Sequence, residues 1–155
     1  MTKIVRASRA HVGAMAKLMA SSALLRRYRV SARGAKASLT EALRERDLLF
    51  AAVDDHAVVG LAWVIVTRAV DRAAYLRLLL IREDHQSRGL GAALLGRAER
   101  KARASRCRHL VLLVTTTNGR ARAFYEQHGY SHVGELAGFV RAGISESLYL
   151  KSWRA

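Results

Sequence analysis

The segment from Tyr75 to Ala104 constrains the fold more than any other part of the chain. Residues 75–81 are apolar almost throughout, which is usual for a strand that is buried on both faces. A polar turn that contains Gly89 and Gly91 follows, and residues 89–104 then carry apolar residues at helical spacing. A buried strand that leads through a glycine turn into an amphipathic helix predicts a sheet flanked by helices.

The rest of the chain divides into similar short segments, and we interpret residues 1–155 as a single domain. Besides 75–81 and 89–104, strands are predicted at residues 3–7, 48–53, 58–70, 109–114, 130–135 and 146–153, and helices at 8–25, 31–46 and 118–128. Strand and helix alternate in the second half, so we expect a mixed sheet with helices against it. The last two strands are predicted to be separated by a loop that contains glycine.

Composition narrows the class of protein. The single cysteine, Cys107, excludes a disulfide framework within the chain and a cysteine-based zinc site, which fits a reducing compartment. The longest apolar run, residues 57–66, is about half of the ~20 residues that a membrane-spanning helix needs. Residues 1–6 lack the apolar core of a signal peptide. We therefore expect a cytoplasmic protein that does not bind a membrane.

The formal charge of +15 has three interpretations: polyanion binding, a basic site for a phosphorylated cofactor, or an arginine-rich solvated surface. Arginines occur in nearly every segment, which favours the third. A basic group lies on and after the third helix: Arg97, Arg100, Lys101, Arg103, Arg106 and Arg108. No aromatic residues alternate with it, so a stacking platform for single-stranded nucleic acid is not indicated. The histidines show no metal-ligand spacing, and no metal site is expected.

The glycine turn is a candidate anion site. Gly89 and Gly91 lack a Cβ, so a ligand can approach the backbone closely. The first N–H groups of the following helix have no partners within the helix, and the helix dipole adds partial positive charge there. A diphosphate suits such a site, and Arg88 could add a charged contact. The alternative is an ordinary connection between strand and helix in which the glycines only permit the turn.

Two segments resemble the GNAT N-acetyltransferase superfamily. Residues Gln86–Ala92 match its Q/R-x-x-G-x-G/A signature, and Asn118–Tyr130 resembles its N-x-x-A-x-x-F-Y-x-x-x-G-Y segment. Both occur in the family's order, each after an apolar strand, and the resemblance covers nearly the whole chain. It implies an α/β (α+β) fold with a central, mixed, mostly antiparallel, splayed sheet of about six or seven strands flanked by about four helices. It also implies an acetyl-CoA-dependent N-acetyltransferase.

The resemblance assigns roles to individual residues. The pyrophosphate of coenzyme A would bind the turn, at Gln86, Ser87, Arg88, Gly89, Leu90, Gly91 and Ala92. The pantetheine arm would pair with the strand positions Leu79, Leu80 and Ile81. Asn118 would hydrogen-bond to the arm. The backbone N–H of Leu80 would polarise the thioester carbonyl. Tyr125 would protonate the leaving thiolate as general acid, although it could instead only pack the helix.

The general base is not evident. Many GNAT enzymes carry an acidic residue on the cofactor-binding strand where this chain has Arg77, and an arginine cannot serve as a base near neutral pH. Arg77 could bind a carboxylate of the acceptor or simply lie at the surface. The other candidates are Glu83, Asp84, His85, Glu135 and Glu146, and Tyr75 could hold a water. Direct attack by an amine that is already neutral is the remaining alternative.

The acceptor is expected to be a primary amine of a small molecule or peptide. Residues 24–33 and 136–145 match the segments that shape the acceptor end of GNAT proteins, and their arginines favour an acceptor with carboxylate or phosphate groups. The alternatives are an acetylase of aminoacyl-tRNA, suggested by the charge but not favoured, and a non-catalytic acyl-CoA sensor. A homodimer through an exposed late strand is also compatible with the sequence.

Overall fold

The computed structural model describes residues 1–154, which form one seven-stranded sheet and five α-helices. The strands are β1 (Lys3–Arg6), β2 (Leu48–Asp54), β3 (Ala57–Val66), β4 (Ala74–Ile81), β5 (His109–Thr115), β6 (Ser131–Arg141) and β7 (Ile144–Ser152). The helices are α1 (Arg9–Ser21), α2 (Ala23–Arg27), α3 (Ala32–Arg44), α4 (Leu90–Ala104) and α5 (Gly119–Gln127). The expected α/β fold with a mixed sheet is confirmed.

The sheet has the order β1-β2-β3-β4-β5-β7-β6, and all neighbouring strands are antiparallel except β4 and β5. These two parallel strands share only three residue pairs, the last of which joins Leu76 to Leu112. Just beyond it, the register with β3 shifts from Val64–Leu76 to Trp63–Leu78. Arg77 is therefore the extra residue of a β-bulge, which bends a strand and increases its twist. The second half of β4 thus separates from β5, as expected for a splayed sheet.

The two faces of the sheet carry separate cores. Helices α1 and α3 cover one face, where Met15 and Leu39 are fully buried against β2 and β3. Helices α4 and α5 cover the other face, where Leu95 and Tyr149 are fully buried. Fully burying one such apolar side chain stabilises the fold by roughly 1.5–3 kcal/mol. Apolar packing thus stabilises both faces of the sheet, while β4 and β5 stay unpaired beyond their three residue pairs.

The predicted helix over residues 8–25 is divided by a break at Ser22, with helix on both sides of it. Ser22 has extended backbone angles (φ −70°, ψ 124°), which end α1 at Ser21. Its hydroxyl then accepts a hydrogen bond from Leu25 N at 3.3 Å, which caps the short helix α2. A serine that caps a new helix competes with continuation of the old one. Ser31 caps α3 in the same way, as predicted, by accepting from Gly34 N at 3.0 Å.

The predicted loop over residues 136–145 is also wrong. Strand β6 continues to Arg141, and β7 begins at Ile144, so only two residues separate the strands of this hairpin. Gly143 has a φ of +82°, the left-handed conformation that tight hairpin turns need. The hairpin places β6 at the edge of the sheet. The predicted strand over 58–70 ends earlier, at Val66.

None of the helices within residues 1–154 is both long and apolar enough to cross a membrane.

Candidate active site

A cleft of about 1020 Å³ opens where β4 and β5 separate. On one face of the sheet it is lined by residues from α4 and α5, such as Ala92 and Phe124. It is also lined by Leu18, Ser21 and Leu24, which belong to α1 and α2 against the opposite face. The cleft therefore runs through the sheet rather than lying on one side of it.

The splayed half of β4 forms one wall of the cleft. Leu79, Leu80 and Ile81 all line it, as predicted for the residues that would meet the cofactor arm. On their other side, these residues pair with Ala62, Leu61 and Gly60 of β3. The ladder between β4 and β5 ends at Leu76, so the backbone groups of residues 79–81 that point away from β3 face the cleft. Unpaired strand edges offer a row of hydrogen-bonding groups to an extended ligand.

The glycine turn lies at one end of this wall. Ser87 has a φ of +61° and Gly89, the N-cap of α4, a φ of +79°, with no side chain capping the helix. A Cβ at Gly89 would meet no atom within 4 Å, so the backbone there is open to a ligand. A Cβ at Gly91 would lie 3.5 Å from the Phe124 ring, in ordinary van der Waals contact, so α4 packs against α5 at this position. Free first-turn N–H groups and the helix dipole favour an anion here.

The predicted turn residues divide into two groups. Five of them line the cleft: Gln86, Ser87, Gly89, Gly91 and Ala92. Arg88 is exposed and lies outside the lining, and Leu90 packs toward the core of β2, β3 and α4. A role for these two in phosphate binding stays a prediction.

Arg120 belongs to the site although the sequence analysis did not name it. Its Nη1 donates to Gln86 Oε1 and its Nη2 to Ser87 Oγ, both at 2.9 Å. Gln86 Nε2 in turn donates to the carbonyl of Ile81 at 3.1 Å. The first turn of α5 is thereby linked to the glycine turn and to β4, and a guanidinium lies beside the anion site. The sequence did carry a signal for Arg120, namely a basic residue in the first turn of the helix that contains the second family signature.

Asn118 and Tyr125 enter the cleft from α5 and its N-terminus. Asn118 Oδ1 accepts from Ala121 N at 3.2 Å, so its side-chain carbonyl caps the helix while its amide NH₂ is left to donate elsewhere. Tyr125 is 8% exposed, and its ring packs edge-on against Phe124 and Tyr130. Burial raises the pKa of the Tyr125 phenol well above its usual value. The hydroxyl therefore stays protonated and able to donate.

The turn carries two acidic residues, of which Glu83 lines the cleft without an ion pair within residues 1–154 and Asp84 is held in ion pairs. Asp84 accepts from Arg82 Nε at 2.7 Å and lies 2.7 Å from His85 Nδ1. Arg82 and then His85 hold the pKa of the Asp84 carboxyl far below its usual range. His85 Nε2 lies 3.3 Å from Asp54 Oδ2, so both ring nitrogens face carboxylates. These contacts stabilise the turn, and the lowered pKa leaves Asp84 poorly suited to accept a proton.

Glu135 and Glu146 lie on opposite faces of the β6–β7 hairpin. Glu135 is half-exposed and accepts from the Thr116 hydroxyl, from Ser147 Oγ at 2.8 Å and from His132. These hydrogen bonds lower the pKa of Glu135 to about 2, which makes it a weak base. Glu146 is only 2% exposed and accepts from the Tyr28 hydroxyl. Among the candidate bases, Glu146 is the one carboxylate that is buried.

Arg77, at the position where many GNAT enzymes carry an acid, does not line the cleft. Its guanidinium lies 4.9 Å from the centre of the Trp63 ring and borders a separate cavity of about 580 Å³. The cavity also contains Asp47, which accepts from Trp63 Nε1 at 2.8 Å. Arg77 therefore packs on an aromatic ring next to the bulge that splays β4. Binding of an acceptor carboxylate by Arg77 stays untested. Within residues 1–154, no group of three potential metal ligands is found.

Solved structures with the same architecture define the class of fold. A GNAT-family protein from Desulfovibrio desulfuricans superposes with a TM-score of 0.82 at 22% identity, covering 98% of this chain and 99% of that one. The PaiA N-acetyltransferase of Thermoplasma acidophilum, solved with coenzyme A, gives 0.78 at 16% identity and covers 99% of both chains. YncA of Salmonella typhimurium, solved with acetyl-CoA, gives 0.80 at 15% identity, covering 100% and 95%. The split sheet is thus a GNAT fold.

The family follows from the sequence match. The profile of the acetyltransferase (GNAT) family matches residues 17–130, which is more than half of the chain, and the chain therefore belongs to that family. The resemblance inferred from Gln86–Ala92 and Asn118–Tyr130 is confirmed. A 45-residue segment is also 40% identical to YdhI of Bacillus subtilis strain 168. That match spans 29% of this chain and 28% of YdhI, well under two thirds of that relative.

Proposed function

We propose that the protein transfers the acetyl group of acetyl-CoA to a primary amine by direct attack within a ternary complex. The observation that carries this proposal is the cleft through the sheet, which joins an anion site at Gly89 to the unpaired edge of β4 and to Tyr125. The cleft also opens toward α1 and α2, so a second substrate can reach the same gap from the other face.

The residues present fit the cofactor. The N-terminus of α4 and Arg120 suit a diphosphate, the edge of residues 79–81 suits an extended amide-bearing arm, and Asn118 can donate to it. Acetyl-CoA would supply an acyl group activated as a thioester. The family and the complexes of PaiA and YncA support this ligand.

The chain's own groups would act on the transfer in two places. The backbone N–H of Leu80 would donate to the carbonyl oxygen as negative charge develops there. The Tyr125 hydroxyl would donate its proton to the departing sulfur. Because burial raises the pKa of Tyr125, its contribution would come largely from a hydrogen bond to the thiolate rather than from complete proton transfer.

The test is calorimetric titration of acetyl-CoA into the wild type and two matched variants. Ala92 and Ala93 are neighbouring exposed residues in the first turn of α4, but only Ala92 lines the cleft. We expect Ala92→Trp to weaken binding at least tenfold, about 1.4 kcal/mol, because the indole would fill the space beside the glycine turn. Ala93→Trp should bind as the wild type does.

Failure of the wild type to bind would overturn the proposal. Binding followed by thiol release with a panel of amines would support transfer. Tight binding without transfer to any amine would favour the alternative of a non-catalytic acyl-CoA sensor. A small-molecule or peptide acceptor, a homodimer and a cytoplasmic location stay predictions.

A further inference from the structure

A buried carboxylate lies close to the cleft, although neither it nor its hydrogen-bond partners belong to the cleft lining. Glu146 lies at the start of β7, paired with Thr115 at the end of β5. The Tyr28 hydroxyl, from the segment between α2 and α3, donates to Glu146 Oε1 and lies 2.6 Å from Thr115 Oγ1. Four polar or charged residues within 1–154 are buried, and three of them are Thr115, Glu146 and Ser147. Polar burial in this protein is therefore concentrated at the point where β5 meets β7.

The strand register places Glu146 beside the reacting end of the cleft. In the parallel pair, Ala74 lies opposite Leu110 and Leu76 opposite Leu112. Counting on from these pairs along both strands brings Thr115 level with Leu79, or with Leu80 when the extra residue Arg77 is left out, across the gap that the bulge opens. Glu146, the partner of Thr115, is therefore level with residues 79–80 of β4, where the thioester carbonyl would lie.

Glu146 faces the side from which an acceptor would come. Side chains alternate along a strand, and Tyr149 points to α5, where its hydroxyl donates to Glu126 at 2.7 Å. Glu146 points the other way, to Tyr28 in the segment between α2 and α3. The glycine turn and Tyr125 approach the gap from the α4–α5 face. The carboxylate and the proposed acid thus lie on opposite sides of the reacting position.

No protein cation neutralises this carboxylate. Although the chain carries a net charge of +15, no ion pair within residues 1–154 includes Glu146. A buried charge without a partner is costly, so a purely structural role would be better filled by a neutral side chain. Burial raises the pKa of Tyr75, the Arg77 guanidinium lowers it and the negative charge of Glu146 raises it, so Tyr75 lies within range of both charges.

The carboxylate is also open to a ligand. Tyr28 donates to Oε1, and Oε2 has no hydrogen-bond donor among residues 1–154. Arg97 Nε is the single side-chain nitrogen or oxygen in that part of the chain that is both fully enclosed and without a partner. Glu146 Oε2 is therefore not fully enclosed, although the residue is only 2% exposed, and it has the capacity to accept one more hydrogen bond.

We propose that Glu146 binds the ammonium group of the acceptor and removes its proton, with Tyr28 as the residue that positions the carboxylate. This inference rests on the proposed function. The proton of the R–NH₃⁺ group would move to Glu146 Oε2, and the freed nitrogen lone pair would form the C–N bond to the acetyl carbonyl carbon. The C–S bond breaks, and the sulfur leaves with its electron pair as a thiolate that accepts a hydrogen bond from the Tyr125 hydroxyl. The second nitrogen proton leaves to solvent as the neutral amide product forms, and solvent returns a proton to the thiolate.

The central test compares Glu146→Gln with Glu135→Gln, the same substitution on the opposite face of the same hairpin. The amide introduced by Glu146→Gln could still accept a hydrogen bond from Tyr28 but could not take a proton. We expect this variant to bind acetyl-CoA as the wild type does, to lose at least a hundredfold in kcat/KM for amine acetylation, and to melt at the same or a higher temperature. Glu135→Gln should keep its kcat/KM.

The melting temperature separates this role from a structural one. The inference is overturned if Glu146→Gln acetylates amines normally. It is also overturned if this variant melts at a lower temperature and its loss of acetylation is no greater than its loss of folded protein. Failure of the wild type to bind acetyl-CoA would instead defeat the proposed function.

A direct binding measurement decides the case in which the wild type acetylates no amine of the panel. With acetyl-CoA present, n-butylammonium chloride should raise the melting temperature of the wild type above that in equal sodium chloride. Glu146→Gln should show no such difference. Equal shifts in both proteins would overturn the inference.

Tyr28→Phe tests the positioning role. The change removes only the hydroxyl that donates to Glu146 Oε1, so kcat/KM for the amine should fall while the dissociation constant of acetyl-CoA stays unchanged. A Tyr28 that only packs the loop would leave kcat/KM in place and lower the melting temperature alone.

Discussion

At the scale of single residues, Tyr125 carries the sharpest prediction for the chemical step. Its phenol is buried and its pKa is raised by burial, so it donates a hydrogen bond well but releases its proton reluctantly. We expect Tyr125→Phe to lower kcat by about 10- to 100-fold, the weak end of the range for general acids, without changing the dissociation constant of acetyl-CoA. Steady-state thiol release and calorimetry measure the two quantities.

The neighbouring Tyr130 supplies the control. It is also buried, and its hydroxyl donates to Glu99 at 2.9 Å away from the cleft lining. Tyr130→Phe should lower the melting temperature and leave kcat unchanged, because it removes one of the two hydrogen bonds to Glu99 Oε1, outside the site. The raised pKa also predicts that Tyr125 causes no loss of kcat below about pH 10, the usual phenol pKa, since the acid form is lost only as the pH rises through the higher value. Equal kcat in Tyr125→Phe and wild type would show that the phenol only packs.

At the scale of elements, the contact between α5 and the glycine turn determines how firmly the anion site is held. Both hydrogen bonds from Arg120 to the turn come from one guanidinium. Arg120→Met should weaken acetyl-CoA binding roughly tenfold, since charge-assisted hydrogen bonds contribute about 1.5–3 kcal/mol, and should reduce the salt dependence of the dissociation constant. Calorimetry at two salt concentrations measures both effects.

Arg100→Met is the matched control for this prediction, because Arg100 is an exposed arginine of α4 outside the cleft lining. It removes the same charge from the chain at a distance from the turn. If both variants weaken binding equally, the effect belongs to the overall charge and not to the contact between the elements.

Elements also show how far the sequence could predict the structure. Strong periodicity over 89–104 and the apolar run of β4 predicted α4, β4 and the cleft wall between them, because local pattern and tertiary burial agree there. The break at Ser22 depends on a serine hydroxyl that caps the second of two helices, which propensity alone does not decide. The long β6–β7 hairpin was missed because glycines at 138 and 143 suggested a loop, whereas pairing with β5 holds β7 in place.

The site shows the same division. Residues within the two signatures were predicted, since their spacing is a local property of the chain. Arg120 and the partners of Glu146 depend on contacts between residues far apart in sequence, such as Tyr28 with Glu146, 118 positions away. The bulge at Arg77 is a shift of register between two strands, and single-strand patterning does not contain it.

At the scale of the whole molecule, the net charge of +15 should govern stability as much as any contact. Five of the nine ion pairs within residues 1–154 join two side chains that are each more than a third exposed, and such pairs contribute little. Repulsion among the unpaired arginines should therefore dominate the response to salt. We expect the melting temperature without ligand to rise between low and about 0.5 M sodium chloride, where the Debye length falls below ~10 Å. Calorimetric melting measures it, and a fall with salt would mean that the ion pairs dominate.

The three residue pairs between β4 and β5 have a mechanical consequence. Strands β1–β4 and β5–β7 form two parts of the sheet that are joined by one short line of strand pairing, and this pairing stops at the cleft. An extended ligand that hydrogen-bonds to residues 79–81 would lengthen this line of pairing, much as a further strand would. In a protein built in this way, tighter binding of such a ligand also means greater resistance of the two parts of the sheet to shear.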